Sequence, residues 1–207
     1  GEQKLDIFEL VYFARPDSLI LGKSVYEVRQ RFGSRLAEES PVNADMVIPV
    51  PDSAIPAAIG YSMASKIPFQ QILIKNRYIH RTFIQPEQRL RESDLEMKLN
   101  PIPTLINGKK VVLIDDSIVR GTTIAKLAQM LKNCGAKEVH VRISSPPVRY
   151  PDYYGIDTPK QESLIAARLS ILEIREKIGA DSLAYLSYGG MINATSLPED
   201  VFNTSCF

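Results

Sequence analysis

Two adjacent carboxylates, Asp115 and Asp116, end an apolar run and are followed by Ser117, Ile118, Val119, Arg120, Gly121, Thr122 and Thr123. Each residue type in this stretch has a chemical use. A turn that ends at a helix N-terminus presents unpaired N–H groups and the positive end of the helix dipole, so the backbone of Arg120 to Thr123 can cradle a phosphate. Gly121 lets that backbone approach its ligand closely, and the Thr122 and Thr123 hydroxyls add donors. Asp115 and Asp116 would repel a bare phosphate and suit ribose hydroxyls or a hydrated cation. Together these types suggest a sugar phosphate whose hydroxyls or magnesium face the acids while its phosphate rests on the helix. Asp-Asp-Ser alone would read as an acidic strand end before a capped helix. The two acids sit at a strand end outside the core, so Asp115→Asn is expected to weaken activity without unfolding the domain.

The elements that must position these residues alternate between strand and helix patterns. Ser24-Val25-Tyr26-Glu27 is a capping-box signature, and Val25, Val28, Phe32 and Leu36 follow at helical spacing. Met46 to Val50 reads as a short buried strand, Ile55 to Ser65 as a helix, and Gln71 to Ile74 as another strand. Lys75 to Pro103 has no clean period and is dense in charge, too long for an ordinary connection, and reads as a mobile lid or functional loop. Lys110 to Ile114 is a continuous apolar strand. Ile124, Leu127, Ala128 and Leu131 form a helical stripe that Gly135 caps, and Val139, Val141 and Ile143 alternate as a strand. A last helix is expected to carry Leu164, Ala167, Ile171, Ile174 and Ile178, with a strand around Leu183 to Leu186 after it. Such alternation predicts an α/β fold, a mostly parallel central sheet flanked by helices, with ligands at the carboxyl ends of the strands.

Composition bounds the partners. At 207 residues and 44% hydrophobic, the chain can bury one substantial core. Its 25 Lys and Arg against 24 Asp and Glu give no general attraction to nucleic acid or an acidic membrane surface, so any anion must be held locally. Only Cys134 and Cys206 are present, without an apolar run of membrane-spanning length or a signal peptide, and we read a soluble, cytoplasmic protein of a reducing compartment. Gly1 in place of an initiator Met suggests processing or a fragment.

The run from Val111 to Thr123 resembles the phosphoribosyl pyrophosphate signature of type I phosphoribosyltransferases. Further stretches narrow the resemblance to the glutamine phosphoribosylpyrophosphate amidotransferase family: Val11 to Ser18, Val47 to Ser53, Lys75-Asn76-Arg77-Tyr78, Arg81-Thr82-Phe83-Ile84, Ile143 to Pro147, and Tyr154 to Pro159. The resemblance implies a type I phosphoribosyltransferase fold over residues 1–207 with a flexible active-site loop. It also implies a reaction in which ammonia displaces pyrophosphate at ribose C1, giving phosphoribosylamine at the committed step of purine nucleotide synthesis. By the family's pattern Ser53, Asp115 and Asp116 are associated with magnesium, and Pro51-Asp52-Ser53 is the pyrophosphate loop. The resemblance further implies that the loop from Lys75 would fold over the substrate, with Lys75, Arg77 and Arg81 neutralising the departing pyrophosphate and Tyr78 and Ile84 lining the ammonia passage. Loop closure would keep water from an oxocarbenium-like centre. A homo-oligomer and feedback by purine nucleotides are implied as well.

The chain departs from this pattern in three ways, one being the Arg91 to Leu99 stretch, whose Ser93-Asp94-Leu95-Glu96 is less basic than the family pattern. Complete amidotransferases carry an N-terminal glutaminase domain whose terminal Cys releases ammonia, and no such Cys or domain is in this sequence; the chain is expected to use free ammonia or a glutaminase partner. One branch of the family binds an iron–sulfur cluster through four Cys, but Asp6, Asp152, Asn203 and Cys206 occupy the matching places. One thiolate cannot hold a cubane, so none is expected. Two other functions share the signature: a regulator that senses phosphoribosyl pyrophosphate, which would show a basic DNA-binding surface, and a salvage enzyme using a nucleobase, which would need a pocket to stack the base.

Overall fold

The computed structural model describes residues 4–75, 99–151 and 160–207. Its centre is a four-stranded parallel sheet: β4 (Met46–Pro49), β7 (Lys110–Asp115), β8 (Glu138–Ile143) and β9 (Ser182–Tyr185), in that spatial order. The register runs Met46 to Val111, Lys110 to Glu138 and His140 to Ser182, which brings Pro49, Ile114, Asp115, Ile143 and Tyr185 to one edge. Val111 to Ile114 are fully buried, as expected of a strand covered on both faces. The alternation in β8 does not mark a wet face: His140 and Arg142 are buried too. His140 is satisfied by Ser182 and Glu138 (2.6 and 2.7 Å), Arg142 by the Ser40 and Val141 carbonyls and the Ser182 hydroxyl.

Two helices precede and follow β4. In α1 (Val25–Glu39) the Ser24 hydroxyl accepts the Glu27 N–H at 3.3 Å, and Val25, Val28, Phe32 and Leu36 are buried. Helix α2 (Ile55–Ser65) packs closely on α1 because Gly33 and Gly60 lie at the contact: a Cβ on either would strike the Ala57 or Gln30 carbonyl of the facing helix. After β7 comes α4 (Thr122–Asn133), ended by Gly135 in the left-handed region, with the Ala136 N–H returning to Leu131 O at 3.1 Å.

Three expectations are corrected. The strand after α2 is Leu73–Lys75 (β5), not Gln71 to Ile74, and it pairs antiparallel with β6 (Leu99–Pro101), so Lys75 and Leu99 are register partners. The base of the long connection is therefore a two-stranded ladder, and a short helix α3 (Pro103–Ile106) ends it; residues 76–98 lie outside the described ones. The continuous helix from Leu164 to Ile178 is two pieces, α5 (Ile165–Arg168) and α6 (Ile171–Ile178), with Leu169 and Ser170 extended between them. Ser170 and Glu173 form a reciprocal capping box, 3.2 and 2.7 Å, that starts a new helix where apolar spacing alone continues the old one. Finally, Asp116 is only 6% exposed and belongs with the buried residues, its Oδ1 accepting the Ser117 hydroxyl at 2.9 Å rather than water.

The N-terminal segment lies over the carboxyl side of this framework. Residues Leu5–Asp6 (β1) pair in parallel with Phe202–Asn203 (β10), and a single π-helical turn, Glu9–Phe13, follows. Helix α7 (Tyr188–Thr195) begins at Ser187 after β9 and is followed by the segment that returns to β10.

Candidate active site

β7 delivers Asp115 and Asp116 to the carboxyl edge of the sheet, where parallel α/β folds place ligands. Asp115 Oδ1 accepts the Asp116 N–H at 2.8 Å, and Asp116 Oδ1 accepts the Ser117 hydroxyl at 2.9 Å. Ser53, arriving from the turn after β4, lines the same cavity as Asp116. Burial holds the Asp115 carboxyl well above its ordinary pKa, and the neighbouring Asp116 charge adds to the rise. Burial likewise raises Asp116, against the opposing pull of the Ser53 and Ser117 hydroxyls and the charge of Arg29. Two carboxylates thus share a poorly solvated place with little compensating positive charge, an arrangement that a bound cation would relieve.

The turn from Ser117 to Gly121 leads directly into α4. Gly121 is its N-cap residue, at φ +83°, and brings no side chain to cap the first-turn N–H groups. The left-handed backbone demands glycine here, and a Cβ would also press on the Ile165 Cδ1 methyl at 2.9 Å. The turn is braced from behind, where the Ile165 N–H donates to Val119 O at 2.9 Å. Thr122 and Thr123 are exposed at the helix start.

Ser53 and every residue from Asp115 to Thr123 line one cavity of about 490 Å³. The sequence-predicted residues Ser53, Asp115, Asp116, Ser117, Ile118, Val119, Arg120, Gly121, Thr122 and Thr123 are brought together there. Pro51, Asp52 and Lys75 are not among its lining residues; the Pro51–Asp52 peptide is cis, and Lys75 Nζ lies 2.9 Å from Asp52 Oδ2. Arg77, Tyr78, Arg81 and Ile84 lie outside the described residues, as does Asp152.

The remaining wall was not predicted from the sequence. Phe8, Tyr12, Phe13, Val50, Ile124, Val148, Leu164 and Cys206 complete the cavity and make it mainly apolar away from the acids. Phe13 lies 5.2 Å from Phe8 and 5.1 Å from Tyr12 between ring centroids, and Phe8 stacks on Phe207 at 6.0 Å. Adjacent aromatics in Val11-Tyr12-Phe13-Ala14 were the available signal, but only the fold carries them to the site.

Magnesium fits this donor set as a bridge to substrate, since it is commonly held by one or two carboxylates with substrate oxygens and water. Among the described residues no group of three or more His, Cys, Asp or Glu side chains could hold a metal ion by itself. The four positions expected for cluster ligands do not fit a cubane: Asp6 accepts the Phe8 N–H at 2.9 Å, Asn203 accepts the Ser205 N–H at 3.2 Å, and Cys206 is the one thiol among them.

Comparison with known proteins agrees with this geometry. The model of the phosphoribosyl transferase domain matches residues 23–145. The chain is 57% identical over 206 residues to the amidophosphoribosyltransferase of Synechococcus elongatus, covering 100% of this chain and 42% of that protein. It is 52% identical over 200 residues to that of Methanothermobacter thermautotrophicus, covering 97% and 42%. Among solved structures, glutamine phosphoribosylpyrophosphate amidotransferase from B. subtilis, complexed with ADP and GMP, superposes with a TM-score of 0.87 at 49% identity, covering 100% of this chain and 45% of that one. A structure described as the allosteric regulatory enzyme of purine biosynthesis gives 0.89 at 48%, covering 100% and 46%. The chain thus spans less than half the length of these relatives. With its family model matched over more than half its residues, on the strand, loop and helix that build the cavity, this chain belongs to the phosphoribosyl transferase domain family.

Proposed function

We propose that residues 1–207 form the synthase domain of an amidophosphoribosyltransferase, transferring the phosphoribosyl group of phosphoribosyl pyrophosphate to ammonia. The observation that carries this reading is the one cavity in which Asp115, the buried Asp116 and Ser53 meet the glycine-capped N-terminus of α4. The α4 amides and the Thr122 and Thr123 hydroxyls hold the 5′-phosphate, and the two carboxylates take the ribose hydroxyls. Magnesium, when bound by Asp115, Asp116 and Ser53 together with substrate oxygens, supplies charge neutralisation at the pyrophosphate. The C1–O bond to pyrophosphate breaks, the C1–N bond forms, and ammonia gives up a proton.

Lys75, Arg77 and Arg81 receive the charge of the departing pyrophosphate, and Pro51 and Asp52 shape its loop. Tyr78 and Ile84 line the acceptor's path. Ammonia comes from a glutaminase domain or subunit, purine nucleotides act as feedback inhibitors, and the protein works as a cytoplasmic homo-oligomer. High identity to amidophosphoribosyltransferases over essentially the whole chain supports this assignment. Among the described residues no helix is long and apolar enough to cross a membrane.

The test is pyrophosphate release with magnesium at alkaline pH, supplying ammonium chloride, glutamine or a nucleobase in turn. Release with ammonia supports the proposal. Release with a nucleobase alone identifies a salvage enzyme, and tight substrate binding without release in any mixture identifies a sensor.

A further inference from the structure

Ile165, the first residue of α5, holds the Ser117 to Gly121 turn through its backbone: its N–H donates to Val119 O at 2.9 Å. No side chain caps α5, so this carbonyl satisfies one of the first-turn N–H groups that a helix leaves open. The Val119–Arg120 peptide is trans, and a trans peptide points its C=O and N–H in opposite directions. Fixing Val119 O on Ile165 therefore turns the Arg120 N–H the other way, toward the cavity that Arg120 lines and Ile165 does not. Among the described residues nothing accepts that N–H.

The Ile165 side chain completes the support. A Cβ on Gly121 would lie 2.9 Å from Ile165 Cδ1, 3.8 Å from Ile178 Cγ2 and 4.0 Å from Ile118 Cγ2, so three buried isoleucines close in on the left-handed corner that starts α4. Ile165 comes nearest. Interiors are close-packed and relax only partly around a lost group, so removing the δ-methyl lets the Gly121 corner settle toward the space and draws the amides beside it away from the cavity. Ile174, on α6 with Ile178, is as deeply buried but is not among the atoms nearest Gly121, and it provides a matched comparison.

We propose that Ile165 is a positioning residue for the 5′-phosphate: with its N–H on Val119 O and its δ-methyl against the Gly121 corner, it aims the Arg120 N–H and the first-turn amides of α4 at that group. The proposal rests on the phosphoribosyl-transfer reading above. On that reading the pyrophosphate end of the substrate is held from the turn after β4, a separate segment, so the two ends must respond differently to a change at Ile165.

The experiment titrates ribose 5-phosphate, and separately pyrophosphate with magnesium, into the wild-type chain and into Ile165→Ala, Ile165→Leu and Ile174→Ala. For Ile165→Ala the expected result is a Kd for ribose 5-phosphate raised about 10-fold, the equivalent of one lost hydrogen bond to a charged group, with the Kd for magnesium pyrophosphate within about 2-fold of wild type. Ile165→Leu conserves volume and keeps a δ-carbon, so it restores the ribose 5-phosphate Kd to within about 3-fold. Ile174→Ala opens a comparable space in the core and leaves both Kd values unchanged. An unchanged ribose 5-phosphate Kd in Ile165→Ala, equal weakening of both ligands, equal weakening by Ile174→Ala, or no recovery in Ile165→Leu overturns the proposal. If Ile165→Ala does not fold, Ile165→Val, which loses the δ-methyl alone, must still raise the ribose 5-phosphate Kd about 3-fold, and an unchanged value overturns the proposal. A wild-type chain that binds neither ligand overturns the functional reading and this inference with it, whereas failure of the Ile165 proposal alone leaves wild-type binding of both ligands intact.

Discussion

Lys75 and Asp52 form an ion pair, Nζ to Oδ2 2.9 Å, between the end of β5 and the turn that carries Ser53. Both side chains are well exposed, at 49% and 71%, so the pair contributes at most about 1 kcal/mol to stability. Any role for Lys75 at pyrophosphate requires its ammonium to exchange this carboxylate for the ligand. Lys75→Met should therefore lower kcat/KM roughly 10- to 100-fold, as expected for loss of a charge stabiliser. Thermal melting should shift little in both Lys75→Met and Asp52→Asn. A large loss of stability in either would show that the pair is structural.

The carboxylate pair gives a prediction with a definite sign. Burial raises the folded-state pKa values of both Asp115 and Asp116 above the ordinary value of 3.8. An acid raised in this way binds more protons folded than unfolded, so stability falls as pH climbs from the ordinary value through the folded one. At neutral pH the pair costs stability. Asp115→Asn, which keeps an Oδ1 acceptor for the Asp116 N–H, should melt above wild type at neutral pH. That advantage should shrink as pH falls toward the ordinary carboxylate value, while turnover drops at least ~100-fold. Paired melts at acid and neutral pH, with pyrophosphate release, check both halves; unchanged turnover would remove Asp115 from the site.

Gly121→Ala meets two obstacles, the φ of +83° and the Ile165 methyl 2.9 Å from its Cβ. The substitution should cost about 1–3 kcal/mol in stability, the usual range for a non-glycine residue in that region. It should also weaken phosphoribosyl pyrophosphate binding, because the first-turn amides of α4 move with the cap. Chemical denaturation and a binding titration measure the two effects.

Ser170→Ala should cost about 1 kcal/mol, the value of a lost N-cap, and leave kinetics unchanged, since α6 begins at a capping box that does not line the cavity. Urea midpoints and kcat/KM test this together; altered kinetics would tie α6 to the site.

The break before α6 shows where the sequence was harder to read. Ser170 and Glu173 carry a capping signature, but Leu164, Ala167, Ile171, Ile174 and Ile178 continue the helical spacing across it, and apolar periodicity concealed the junction. By contrast, Lys110 to Thr123 was legible almost throughout, because a continuous apolar strand, a glycine in the turn and the helical stripe that follows all favour one local structure. The burial of Asp116 was not legible, since it depends on how segments distant in the sequence pack around the strand end. The aromatic wall was hidden for the same reason: Phe8, Tyr12 and Phe13 reach the cavity through a π-helical turn fixed by a residue of α1.

The most direct test of the central claim is calorimetric titration of phosphoribosyl pyrophosphate into the protein with and without magnesium, repeated on Asp116→Asn and Gly121→Ala. The account predicts saturable binding that requires magnesium and weakens at least ~10-fold in both variants, the equivalent of losing one good polar contact. Absence of binding to the wild type, or undiminished affinity in both variants, would contradict it.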